Sequence, residues 1–597
     1  MVKLNKILIL IILLLLLFLS TSYGRNDDFC VILVSSNKIG SNVLGAYKSV
    51  LEEEGVPFKI MDPYELLSLS PKIIAQNYPA IIFPDGECQI LPRDAKLFIE
   101  EFVNWGGNVA IIYDAGIKDK RGNFLEEPLF SDIVGINYCP YNTFKDSVYT
   151  YGFLYFMDEL EVPPGKKKDG KLLSGYFYGP LIYPLANVIQ KDSNYNIYGY
   201  AMPGRNNKIP IVVLKSSKNN SKILYVNLPL GYLKAYSDDL PLRLILRFYL
   251  FKVLKIPHLQ NTFFAKGGLV INWHVDSSIE WKNIPILVNE NYFSKYIPYS
   301  IHITAGDFRD VPGDNLGFDA EGKGRNFVSI LKDFGEIGCH GGWAHNYFSD
   351  GLIKNKFSYE QIKDFIKRNK DALEKIVNYK IREYSAPNGV HPQPTTTKIL
   401  EELGFNSYYY TGDSGSSPNR TFFNEKMVSD KVLAFPILPY ENSASFYEMK
   451  KKKVSEEKVE KWLLGIVDYV ERNRVIRLIY SHPYDILSTY PRAVKLLNTR
   501  LIKDIGESKV LVKSMGFFAD FILRFLKTTY RFSFENDSLN VKLSNPIDLY
   551  GISIAIPKER FTFDLKNPNL LVDKDDDWYY IIINKKIKSI ELSFRRL

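Results

Sequence analysis

A chain of 597 residues is too long for one hydrophobic core, and its 46% hydrophobic content excludes long disordered tails. The net charge is +9, with acidic and basic residues interspersed, so the chain carries no nucleic-acid footprint. The densest basic run, Lys450 to Lys453, reads as a solvated helix entrance. Tyrosine and phenylalanine are abundant, at 40 and 38, and fit an aromatic-rich core with some rings free to line clefts.

The first residues read as an export signal. Lys3 and Lys6 give a positive start, Ile7 to Leu19 is an apolar run, and Ser22-Tyr23-Gly24 offers small residues for cleavage. The run is short for a membrane span. Residues 1–24 are therefore expected to be a signal peptide, with an uncleaved anchor as the alternative, and the chain is placed in the periplasm or outside the cell. Cys30, Cys88, Cys139 and Cys339 are widely spaced, and buried free thiols are expected.

From about 28 to 257 strand and helix alternate. Phe29 to Ser35, Pro57 to Met61, Ala80 to Pro84 and Val109 to Tyr113 are apolar strands. Gly40 to Glu54, and a stretch from Pro92 to Trp105, read as helices. This rhythm makes an open parallel sheet with helices on both faces. Phe102-Val103-Asn104-Trp105-Gly106-Gly107-Asn108-Val109 resembles the class I glutamine amidotransferase-like fold, related in shape to flavodoxin. That family has a cysteine at the elbow following this strand. The corresponding stretch here, Tyr113-Asp114-Ala115-Gly116, has no thiol, and Cys88 has no histidine in this half, so a non-catalytic unit is expected.

From about 262 to 503 seven strands are expected: Leu269 to Val275, Tyr299 to Thr304, Glu336 to Cys339, Arg382 to Ser385, Ser407 to Thr411, Val432 to Ile437 and Val475 to Tyr480. Helices lie between several of them, at Phe327 to Phe334, Tyr359 to Val377, Thr395 to Leu403 and Ser455 to Arg472. An α/β chain of this rhythm forms a (β/α)7 barrel, whose chemistry gathers at the strand ends. From about 528 to 597 the pattern alternates with period two, as in Tyr530 to Phe534 and Leu539 to Leu543, and a small β-sandwich is expected.

Six of the seven histidines fall between 274 and 482. His274 and Asp276 close the first barrel strand, His340 and His345 follow the third, and His482 follows the last. Imidazoles and a carboxylate at buried strand ends are what a zinc-type metal with an open coordination position needs. Five steps along a helix turn about 140° past one full turn, so His340 and His345 can converge only from a loop. Gly341-Gly342 supplies the freedom for one.

In order, these segments resemble the polysaccharide deacetylase superfamily (NodB homology, carbohydrate esterase family 4). His274-Val275-Asp276 stands at its first motif, Cys339 to His345 at its paired metal histidines, and Ser385-Ala386-Pro387-Asn388-Gly389 at the third. Thr411-Gly412-Asp413 matches the fourth and Ser481-His482-Pro483 the last. The resemblance implies a divalent metal, zinc or similar, on Asp276, His340 and His345. It implies His482 as general acid, Asp276 as base or ligand, and a metal-assisted N-deacetylation of exopolysaccharide or cell-wall glycan. The two-domain arrangement is similar to that of exported bacterial proteins of exopolysaccharide machinery, which implies membrane-associated partners.

The departures are specific. The first motif of the family carries two carboxylates, whereas Asp276 is followed by Ser277-Ser278. His274 could replace a ligand, and Asp307 or Asp413 could supply a base. Ser385 stands where the family has arginine, and His340 and His345 are spaced by one residue more. The alternative is a non-catalytic glycan-binding or scaffold protein of polysaccharide assembly. A glycosidase would need paired carboxylates across a cleft, and these motifs hold no such pair.

Overall fold

The computed structural model describes residues 28–36, 41–138, 147–151, 154–173, 182–186, 188–191, 194–202, 208–308, 314–535, 537–564 and 567–597. The export segment expected over 1–24, and Cys139, lie outside them. Among the described residues no helix is long and apolar enough to cross a membrane. Cys30, Cys88 and Cys339 are buried free thiols, as expected.

Val31–Val34 and Ala80–Phe83 are continuous apolar runs with every residue buried, the signature of strands covered on both faces. They join Phe58–Met61, Asn108–Ile112 and Lys222–Val226 in the parallel half of a ten-stranded sheet. The other half is antiparallel, beginning with Ile209–Ser216 and Tyr195–Ala201. The sheet is thus mixed, where the sequence led us to expect parallel strands throughout. Neighbouring segments joined by a short connection pair antiparallel, and an apolar run such as Ile209–Ser216 does not by itself reveal the direction of its partner.

The seven strands expected between 262 and 503 are observed. They are Gly267–Val275, Tyr299–Ile303, Gly335–His340, Glu383–Ser385, Ser407–Tyr410, Leu433–Pro436 and Ile476–Ser481, all parallel. Val510–Val512 adds an eighth beside Gly267–Leu269. The sheet rolls on itself, because Ile437 bridges Leu478 and the Leu438 amide donates to the Leu478 carbonyl at 2.8 Å. Helix Tyr359–Val377 has the expected bounds: the Ser358 capping box starts it, and Asn378 in the left-handed conformation stops it.

Alternation along these strands sorts the side chains into two populations. Leu269, Ile271, Trp273 and Val275 join Tyr299, Ile301 and Ile303 in the apolar layer under the helices. The residues between them, Asn272, His274, Ser300 and His302, are buried on the other face. The register pairs Val275 with Ile303, Ile303 with Cys339 and Cys339 with Tyr384. One step further, Asp276, Thr304, His340 and Ser385 therefore share one level at the carboxyl ends of the strands.

The last 70 residues contribute two four-stranded antiparallel sheets. One recruits His258–Gln260 from far upstream, and Asp28 bridges Ser533 of the other. An ionic cluster ties the amino-terminal unit to the rolled sheet. Arg243, 1% exposed, donates to Glu53, Glu54 and Asp239, each at 2.6 Å. Arg420, from the loop after Ser407–Tyr410, reaches Glu53 at 3.0 Å and Glu52 at 2.9 Å. Burial alone would raise the pKa values of Glu53 and Glu54; the neighbouring arginines outweigh it and hold both below the ordinary value.

Removing one partner of such a buried cluster leaves charge uncompensated. Arg243→Ala is expected to lose about 3–5 kcal/mol of stability in urea denaturation at pH 7. The depressed carboxyl values put the cluster's contribution above the unfolded glutamate value, near 4. It should be lost as pH falls through the lower folded values, which an acid-unfolding titration of the unaltered chain would register.

A candidate metal centre at the strand ends

Three strand ends deliver the site. Asp276 is the first residue after Gly267–Val275, His340 is the last of Gly335–His340, and His482 is the first after Ile476–Ser481. His345 opens the helix His345–Ile353, and its backbone N–H donates to the Asp307 carbonyl at 2.9 Å. The loop between the two histidines turns at Gly341, where φ is +71° and a Cβ would stand 2.3 Å from Pro387. Only glycine fits there.

The geometry brings together three of the four residues singled out around one point. Ligand-type atoms of Asp276, His340 and His345 all lie within 4.8 Å of one another. Asp276 Oδ1 is 3.3 Å from His340 Nε2 and 3.7 Å from His345 Nε2. His482 Nε2 faces the other oxygen, Oδ2, at 3.6 Å.

The far side of each ring fixes its orientation. His345 Nδ1 lies 2.8 Å from the Asn346 amide oxygen. That oxygen can only accept, so Nδ1 carries the hydrogen and Nε2 presents a lone pair. His340 Nδ1 meets the Ser385 hydroxyl at 2.7 Å. Ser385, standing where the family has arginine, thus orients a histidine. The two Nε2 atoms face each other at 3.1 Å, and Asp276 Oδ1 is buried with no hydrogen-bond partner. Two facing nitrogens and an unsatisfied carboxylate oxygen make a donor set that fits a divalent cation.

The electrostatics follow from burial and these neighbours. Burial would raise the Asp276 pKa, but His345, His482 and His340 outweigh it and hold the carboxyl well below its usual range. Burial is the main cause that lowers His340 to about 4. His482 goes the other way. Burial opposes its charge, yet Asp276 and the hydrogen bond from Nδ1 to Asp485 at 2.8 Å carry its pKa to about 9.

The alternatives weighed for ligand and base are placed elsewhere. His274 lies against the His340 ring, with centroids 4.3 Å apart, but is not in the three-residue group. Its Nε2 is held by the Asn272 amide oxygen at 2.7 Å. Asp413 is drawn into the interface between units, accepting from the Asp239 amide at 3.0 Å and the Thr421 hydroxyl at 2.9 Å. It is a structural acceptor there. Asp307 gives its carbonyl to His345, and its side chain does not line the cleft.

Two acidic residues of the site had no sequence signal beyond their position. Asp485, three residues past His482 on the helix Pro483–Ser488, backs that imidazole. Glu280, fully buried, accepts from the Tyr484 amide at 3.1 Å. Burial, opposed by that bond and reinforced by Asp276, raises Glu280 to about 8. It ties the first loop of the rolled sheet to the loop carrying His482, and the Tyr484 ring stacks on His482 at 5.0 Å.

The cleft over the site has a volume of about 500 Å³, lined by His274, Asp276, His340, His345, Tyr480 and His482 among others. A cavity of about 650 Å³ lies beside Arg474 and Trp578, near the amino-terminal end of the last strand. Its aromatic faces are already covered, by Arg474 over Tyr580 at 3.8 Å and His258 over Phe251 at 3.8 Å. The chemistry lies in the smaller cleft.

Residues 246–408 match the family model of polysaccharide deacetylases. The match takes in Asp276, His340 and His345 and stops before His482, which joins them only in the fold. No curated protein matches the chain in sequence. Among solved structures, a putative polysaccharide deacetylase from Mycobacterium smegmatis is 15% identical over 43% of this chain and 91% of that one, with a TM-score of 0.30. The polysaccharide deacetylase of Bacillus cereus is 14% identical over 42% and 92%, with a TM-score of 0.24. A GH42 beta-galactosidase of G. stearothermophilus is 12% identical, with a TM-score of 0.22. This chain covers 33% of its own length in that alignment and 27% of the galactosidase. Shape similarity at these scores carries no argument, and the deacetylase-family reading of 246–408 rests on the sequence match.

Glu280→Ala leaves the Tyr484 amide unpaired and is expected to cost about 1–3 kcal/mol in chemical denaturation. Glu280→Gln, whose amide oxygen can still accept, should stay close to the parent.

Proposed function

We propose that this protein is an exported, metal-dependent hydrolase that removes N-acetyl groups from a polysaccharide, either an exopolysaccharide or a cell-wall glycan. The observation that carries the reading is the convergence of Asp276, His340 and His345 within 4.8 Å, with His482 on the opposite carboxylate oxygen. The family match over 246–408 supports the reaction class. The apolar run Ile7 to Leu19 supports export, and polysaccharide machinery at a membrane is the setting that would follow.

Asp276 Oδ1, His340 Nε2 and His345 Nε2 would hold the cation, with zinc the natural choice for two imidazoles and a carboxylate. Once bound, such an ion would polarise the acetyl carbonyl and ease the loss of a proton from water. The chain's own residues account for the rest. Asp276 Oδ2, the oxygen that faces His482 at 3.6 Å, would take the proton as water attacks the amide carbon. Protonated His482, held by Asp485, gives its proton to the amide nitrogen as the carbon–nitrogen bond breaks. The products are acetate and the protonated amine, and the proton taken up by Asp276 returns to His482, restoring both groups. Asp276 would thus be ligand through one oxygen and base through the other, which answers the missing second carboxylate.

A second reading keeps one observation in its favour: Glu280, the nearest additional acid on the first loop, is turned to the Tyr484 amide and not into the cleft. A site with a single carboxylate could bind glycan in an assembly system without hydrolysing it.

Elemental analysis should find one divalent ion per chain, removed by chelator and absent from His340→Ala. Metal retention with no acetate released from acetylated glucosamine oligomers would favour the binding reading, and absence of metal would sink the hydrolase. If hydrolysis occurs, His482→Ala should lower kcat by about 10²–10⁴-fold, the usual contribution of a general acid.

In the metal-free protein, His482 should titrate near pH 9 by NMR, staying protonated below that value. Asp276→Asn removes the attracting charge and should bring the titration down toward the ordinary value, about 6.5. An unchanged titration would show that the carboxylate does not set the proton affinity of this imidazole.

A further inference from the structure

A cavity of about 330 Å³ lies between the amino-terminal unit and the carboxyl-terminal sheets, away from the rolled sheet. Arg560, Arg596, Gln76 and Asn108 are among the residues that line it. Arg560 is half-buried. It donates a single long bond, from Nη1 to the Leu254 carbonyl at 3.3 Å. Its neighbour Glu559 is engaged by Lys255 at 2.9 Å.

Among the described residues, Arg243, Arg420, Arg474, Arg500 and Arg524 each meet a carboxylate, whereas buried Arg477 is held by the Ser417 and Tyr469 hydroxyls and the Ile476 carbonyl. Among the described residues, Arg560 and Arg596 form no such pair. Burial, then the charge of Arg596, lowers the pKa of Arg560. Two like charges facing one cavity repel each other, and an anion between them converts that repulsion into attraction.

We propose that this cavity binds a compact oxyanion, a carboxylate or a phosphate group, between the guanidinium groups of Arg560 and Arg596. The planar fork of arginine matches the paired oxygens of either group, which a lysine pair would not. Gln76 adds a neutral donor to the lining. None of these residues belongs to the cleft at the strand ends, so the site stands or falls independently of the hydrolase reading.

The test is calorimetric titration of the full chain with inorganic phosphate and, separately, with glucuronate, at constant ionic strength in chloride. Saturable binding of at least one anion with one site per chain is expected, with the melting temperature rising as that anion is added. Arg596→Gln changes an exposed side chain and should leave the fold intact. Affinity should drop about tenfold or more in it and in Arg560→Gln, in line with the loss of a charge-assisted bidentate contact. The preferred anion identifies the group recognised. No saturable binding of either, or unchanged affinity in Arg596→Gln, overturns the proposal and leaves the two arginines as solvated surface charges.

Discussion

The alternation of side chains along parallel strands that roll around a shared interior is the constraint on which the site depends. Apolar residues such as Ile271, Trp273 and Val275 must lie under the helices, and that assigns Asn272, His274 and Asp276 to the opposite face. The same period assigns His302, His340 and Ser385 to it. A slip of one residue in any strand would reverse both sets, exposing core and burying the wrong chemistry. The polar interior resists such a slip because its members satisfy one another: His302 meets Glu383 at 3.0 Å, and Asn272 donates to the Ser300 carbonyl at 3.1 Å. Buried polar groups are costly unless paired, so a slip that broke these bonds would be penalised.

Within that frame the site concentrates positive imidazole character around one carboxylate. The environment then separates the histidines into different roles. His340 is desolvated and kept neutral, suited to offering a lone pair. His482, backed by Asp485 and facing Asp276, is kept protonated, suited to giving a proton. Opposite shifts in neighbouring groups are the usual mark of divided acid and ligand duties. Glu280, its proton affinity raised by burial and its carboxyl bonded to the Tyr484 amide, contributes geometry to the site.

Among the described residues, the amino-terminal unit supports the rolled sheet without supplying groups to the cleft lining. Its loop at Pro163 to Lys166 docks on the carboxyl-end loops of the rolled sheet. The Gly165 carbonyl accepts from the Glu441 amide at 2.8 Å, and a Cβ on Gly165 would lie 2.3 Å from the Pro439 carbonyl oxygen. With the Arg243 cluster, this contact fixes the loops after the fifth and sixth strands. Asp413, a plausible base from its motif position, belongs to that attachment.

The sequence by itself determined the seven parallel strands of the rolled sheet, because buried parallel strands are apolar runs bounded by polar loops, and it determined the helix Tyr359–Val377, because its cap residues are local. It also made the His340–His345 turn legible, since two glycines between imidazoles five apart admit only a loop. The tertiary structure alone decided the rest. Helix Glu280–Asn289 holds Pro285 and a weak apolar stripe, so its pattern was silent. The duties of Glu280, Ser385 and Asp413 depend on which distant amide or hydroxyl lies opposite. His258–Gln260 joins a sheet whose other strands begin almost 300 residues later. Local pattern encodes propensity and period, whereas pairing across the chain is chosen by the free energy of the whole packed molecule.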